Sequence, residues 1–91
     1  MTKVTTRGLE ERAQQVGLHI GDDARVEGRM AAAVVEVPAE EHAVFELAAA
    51  ILIELSMMIA VEDGQILVDG EPFTWEEVIE TADELLADYA E

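Results

Sequence analysis

The sequence predicts a small α+β domain in which a helix, a strand, a long helix, a short hairpin and a last helix follow one another, the helices packed on a small sheet. Three observations predict it. Apolar residues recur at helical spacing in three separate stretches, around Leu9, Ile51 and Ile79. A β-branched run, Val34, Val35 and Val37, stands directly before Pro38, and the residue before a proline prefers an extended backbone. Asp69-Gly70 separates two short apolar runs, the pairing favoured in type I′ hairpin turns. Ninety-one residues with no internal repeat and no dividing linker make one small acidic domain, 1–91.

Taken in order, Thr5 or Thr6 caps a first helix that carries Leu9, Ala13 and Val16 on one face and stops at Gly17. The stretch LHIGDDARVEGR, punctuated by Gly21 and Gly28, reads as a loop or two short extended pieces. Residues 30–37 read as a strand, although the run MAAA also suits a helix. Pro38 opens the next helix, where its missing N–H costs nothing and where Glu40 and Glu41 favour the positive end of the dipole. That helix is expected from about 39 to 61, before Glu62-Asp63-Gly64. A hairpin follows, its second strand confined to a sheet edge by Pro72. Thr74 and Glu77 have the spacing of a capping box, and Phe73 and Val78 that of a hydrophobic staple. The last helix then shows Trp75, Val78, Ile79, Ala82, Leu85, Leu86 and Tyr89 on one face and Glu76, Glu77, Glu80, Asp83, Glu84, Asp88 and Glu91 on the other.

The run FELAAAILIELSMMIAV, Phe45 to Val61, has only Glu46, Glu54 and Ser56 as polar residues. A carboxylate at bilayer depth costs a few kcal/mol, and no basic residue flanks either end, so no membrane span is expected. At 100° per residue Glu46, Ala50 and Glu54 mark the wetter side, while Val44, Leu47, Ala48, Ile51, Leu52, Leu55, Met58 and Ile59 form a core face. Ala49, Ala50, Ile53, Met57 and Ala60 then make a second apolar stripe outside that face. A small domain has little core to cover it, so these five residues are expected to form an interface in a homodimer or higher oligomer, the alternative being that the first helix, through Leu9, Ala13 and Val16, or the last helix covers them within one chain.

Charge is the strongest compositional signal: twenty-one acidic against five basic residues, a net −16. Residues 1–29 hold all five bases and only five of the acids, and nothing after Arg29 is Lys or Arg. Such a surface repels itself, and molar salt relieves the repulsion by shrinking the Debye length to about 3 Å. With its single Lys, its excess of Asp and Glu and its many Ala and Val, the composition resembles that of cytoplasmic proteins of salt-in halophilic archaea. The resemblance is one of composition, and what it implies is a salt-rich cytoplasm. The rival reading of the acidity is a decoy, or antitoxin-like binder, of a basic nucleic-acid-binding protein. Direct nucleic-acid binding is not expected, because phosphate contacts need a basic patch. The N-terminal MTKVTTRGLEERAQQ has no apolar run of the kind a signal or anchor needs.

Chemistry is hard to find. There is no Cys, no nucleophile motif and no phosphate-binding glycine loop. Glu76, Glu80 and Glu84 stand four apart, but carboxylates in a row along a helix do not converge on a cation. His42 and Glu46 share a face without further ligands, and His19 has no identifiable partner. Arg25 and Arg29 beside Gly28 are expected to pair with acids rather than to hold an anion. The expectation is therefore a non-enzymatic association module with no cofactor and no metal, engaged by a copy of itself or by another protein. Behind it and the decoy stands a third reading, a subunit of an enzyme assembled with other chains.

Overall fold

A computed structural model describes residues 4–89. The elements are α1 (Thr6–Gln15), α2 (Asp22–Val34), a 3₁₀ turn (Ala39–Glu41) leading into α3 (His42–Glu54), β1 (Ile59–Glu62), β2 (Gln65–Val68), β3 (Glu71–Phe73) and α4 (Trp75–Tyr89). The fold is a small α+β domain: four α-helices and a three-stranded antiparallel sheet in the order β1-β2-β3 among the described residues. Three stretches differ from expectation. Residues 22–29 are not a loop or extended pieces but the first half of α2, residues 30–37 are not a strand but its second half and exit, and the central helix ends at Glu54, releasing 59–62 into the sheet.

α1 forms as its sequence predicts. Thr5 Oγ1 accepts the Gly8 N–H at 3.0 Å, and Leu9 and Ala13 are buried. At the far end the N–H of Gly17 bonds the Gln14 carbonyl at 3.0 Å and that of Leu18 bonds Ala13 at 2.9 Å, with Gly17 at φ +73°. This is a Schellman end with glycine in the left-handed position. α3 ends the same way, Ser56 N–H to Ile53 at 3.0 Å and Met57 N–H to Leu52 at 3.0 Å, but here Ser56 takes φ +69°. α2 ends with Glu36 at φ +55° and Val37 N–H reaching Ala32 at 3.4 Å.

α2 lies antiparallel against α3, on the side that Glu46, Ala50 and Glu54 were expected to keep wet. Arg29 Nε stands 3.6 Å from Glu46 Oε1, and the Gly21 N–H donates to Glu54 Oε2 at 3.3 Å. Between these polar ends Gly28 is buried against α3. A Cβ built on it would lie 2.6 Å from the Glu46 carbonyl oxygen and 3.3 Å from Ala49 Cβ. Only glycine permits that approach. Covered by α2 here and by the rest of the core elsewhere, α3 is buried almost all round: Val44, Phe45 and every residue from Leu47 to Leu52. His42 is tied back as well, its Nε2–H donating to the Val37 carbonyl at 2.6 Å.

β1 and β2 pair with Ile59 opposite Val68 and Val61 opposite Ile66, and β2 and β3 with Ile66 opposite Phe73. These five side chains share one face, turned toward the helices, where Ile66 and Val68 are buried. Both hairpin turns carry two positive-φ residues, Asp63 (52°) and Gly64 (75°), then Asp69 (52°) and Gly70 (86°). That is type I′ geometry, which suits the twist of the flanking strands. α4 opens with the reciprocal capping box. Glu77 N–H donates to Thr74 Oγ1 at 3.1 Å, and Thr74 N–H to Glu77 Oε1 at 2.9 Å. Val78, Ile79, Ala82 and Leu86 are buried, with Phe73, Trp75 and Leu85 packed beside them, whereas Tyr89 is exposed.

Two substitutions test this packing. Gly28→Ala gains about 1 kcal/mol of helix propensity but meets backbone, and overpacking of this kind costs about 1–3 kcal/mol. A lower urea midpoint is expected, and a raised one would mean that the helices do not sit this close. Thr74→Ala removes one capping bond and is expected to lower stability by about 1 kcal/mol, read from the same unfolding curves.

Candidate interaction surface

The five residues expected to form an interface do not make one outward stripe. Ala49 and Ala50 are fully buried within the chain, and Ala49 faces Gly28 of α2. Ile53 and Met57 are half-buried, and Met57 packs on the core. Ala60 is exposed but lies in β1, off the helix. The reason is the segment read as loop and strand: folded as α2, it supplies the small-residue helix that covers Ala49 and Ala50.

An apolar surface lies instead on the outer side of α2. Val26, Met30 and Val34, spaced by four, are 46%, 64% and 53% exposed. The opposite side of the helix buries Ala24, Gly28, Ala31 and Ala32. Toward the sheet, Met30 and Val34 meet Ile59 and Val61 across an open groove of about 210 Å³ whose only charged lining residue among the described ones is Glu27. Met58, the next residue before β1, is 76% exposed. From Met30 to its end at Val34 α2 carries no charge at all, in a chain of net −16. The groove is therefore a charge-poor window in an anionic surface. The spacing of Val26, Met30 and Val34 is visible in the sequence once 22–34 is read as a helix.

The polar candidates are dispersed. His42 bonds a carbonyl and Glu46 pairs with Arg29, so the two do not converge on a common point. Arg12 reaches Asp83 on α4, and Arg7 pairs with Glu11 at 3.2 Å within α1. Glu76, Glu80 and Glu84 are exposed along α4, and with Trp75, Ile79, Asp83, Val4 and Glu41 they border a shallow groove of about 380 Å³. A second hollow, about 440 Å³, lies between β2, β3 and the start of α4 beside Phe73 and Trp75. Among the described residues no polar or charged side chain is buried, and no group of three or more His, Asp or Glu stands close enough together to hold a metal ion. No described helix is long and apolar enough to cross a membrane. No protein-family model, curated protein or solved structure matches the chain.

Proposed function

We propose that the chain is a non-enzymatic association module of a salt-rich cytoplasm, and that the groove between α2 and β1 is its docking face. The observation that carries the reading is the exposure of Met30 and Val34 beside half-buried Ile59 and Val61. Long apolar side chains held open to water next to one another mark interaction sites more often than chance exposure does. Their charge-poor surroundings add to this, because charged residues are depleted at the centres of protein interfaces. The salt requirement follows from the charge, twenty-one acids against five bases; among the described residues Glu11, Asp83 and Glu46 have an arginine beside them. The decoy reading has its own observation in the exposed row Glu76, Glu80 and Glu84. The two part on sign. Binding of acid to a basic protein weakens as salt screens it, whereas apolar docking of an anionic chain strengthens.

Thermal melts from dilute buffer to several molar KCl are expected to show a melting temperature that rises with salt, and a flat curve would remove the halophilic reading. Met30→Asp combined with Val34→Asp alters exposed positions, so the helical circular dichroism is expected to stay within a few per cent of the parent, as surface changes seldom exceed about 0.5 kcal/mol. Association at high salt, measured by light scattering and by capture of partners from native lysate, is expected to be lost.

A further inference from the structure

We infer that the occupant of this face is a second copy of the chain, held by antiparallel pairing of β1 with its own image about a two-fold axis at Ala60. Two three-stranded sheets then become one continuous sheet. The inference rests on the association reading above and names its partner.

The two edges of the sheet are not alike. β3 is Glu71-Pro72-Phe73, and a proline and a charge are two devices by which natural sheets blunt an edge. β1 is Ile59-Ala60-Val61-Glu62, with no proline, no lysine and an acid only at its end. Its outward hydrogen-bonding groups can be identified from the turn. A two-residue type I′ loop at Asp63-Gly64 closes on a hydrogen-bonded pair, here Glu62 and Gln65. Alternation then points the backbone groups of Glu62 and Ala60 toward β2. The Asp69 N–H donating to the Met58 carbonyl at 2.8 Å continues the same phase. The N–H and C=O of Ile59 and of Val61 therefore point away from the sheet, and β1 is the last strand on that side.

Those outward groups are self-complementary. With Ala60 opposite Ala60 of the copy, Ile59 faces Val61 of the copy and Val61 faces Ile59. Each becomes a hydrogen-bonded pair exchanging two bonds. Ala60 falls in the close pair on the axis, where Cα atoms approach to about 4.5 Å and a methyl group is the easiest side chain to accommodate. The side chains of Ile59 and Val61 lie on the face turned to Met30 and Val34, so the added strand lengthens the apolar wall of the groove.

Charge favours the same register. Glu62 comes opposite Met58 of the copy, so the two Glu62 residues stand at opposite ends of the pairing. Four residues at about 3.4 Å each separate them by roughly 14 Å, beyond the Debye length of about 10 Å even at 0.1 M salt. Each chain carries −16, and this register keeps the two Glu62 carboxylates of β1 apart. An isologous contact of this kind closes as a dimer.

Light scattering in several molar KCl is expected to give twice the chain mass of 9.9 kDa. In the concentrated sample the Ile59 and Val61 amides are expected to exchange with deuterium about tenfold or more slowly than on dilution to monomer. Val61→Pro deletes an outward donor and leaves the β1–β2 ladder intact, so it is expected to give a folded monomer. Hydrogen exchange on the unmodified chain reads the same bonds if that variant does not fold. A monomeric mass for the unmodified chain overturns the inference, and capture of a different protein that Met30→Asp with Val34→Asp abolishes would leave the docking face standing. A dimer that survives Val61→Pro with freely exchanging Ile59 and Val61 amides also overturns it, placing the contact elsewhere.

Discussion

At Gly28 the backbone of α2 comes so near α3 that a single methyl group would stand 2.6 Å from the Glu46 carbonyl oxygen. Much else follows from that approach. With α2 pressed on it, the small-residue side of α3 is sealed, and an apolar helix with Glu at positions 46 and 54 can sit at the centre of a 91-residue chain. Those two carboxylates are not left stranded, since α2 brings Arg29 to one and the Gly21 amide to the other. The price of close packing is that α2 spends its small residues inward, so Val26, Met30 and Val34 are what remains to face outward. The same contact that completes the core also creates the open apolar face.

The lopsided charge of the chain is partly folded away by the same geometry. All the bases precede residue 30, and the two helices that carry the four arginines are laid against the acidic remainder. Arg12 of α1 reaches Asp83 of α4, and Arg29 of α2 reaches Glu46 of α3. Exposed pairs of this kind contribute at most about 1 kcal/mol each. Their effect lies more in where the acidic surplus remains: on the outer face of α4 and on the strand ends and turns. The α2 segment from Met30 to Val34 and the first three residues of β1 are free of it.

The legible parts of the sequence were those whose ends are marked by side chains. Thr5 and Gly17 delimit α1, Asp69-Gly70 turns the hairpin, and Thr74 with Glu77 starts α4. The illegible parts end on residues that seldom mark an end. Glu36 and Ser56 occupy left-handed positions where glycine is the usual signal, so no residue marks where α2 and α3 stop; the β-branched run before Pro38 then reads as a strand, and helical spacing runs on seven residues past Glu54, across most of β1. The stripe on the central helix shows the consequence. Its small residues do admit a second helix, as helical spacing implied. Ala49 and Ala50 are covered, but by α2 from the same chain, while Ala60, placed on the helix by extrapolation, stands on a sheet edge. Val26, Met30 and Val34 were hidden for the same reason: their spacing of four signifies a face only when the segment is helical.

An anionic domain in strong salt faces a particular constraint on how it can bind anything. Salt screens repulsion over distance, but it does not remove the cost of desolvating a carboxylate at close contact. A docking face must therefore be nearly free of acids, however well screened the rest of the surface is. On this fold that condition is met where α2 runs past β1, and both elements owe their composition there to the core: α2 is Ala-rich because it must approach α3, and β1 is Ile-Ala-Val because alternate residues must face the helices. Packing demands of the interior thus leave, among the described residues, a neighbourhood of the exterior that is poor in charge. In the proposed dimer the sheet edge would supply direction to the contact, since backbone donors and acceptors fix a register that apolar side chains alone leave free.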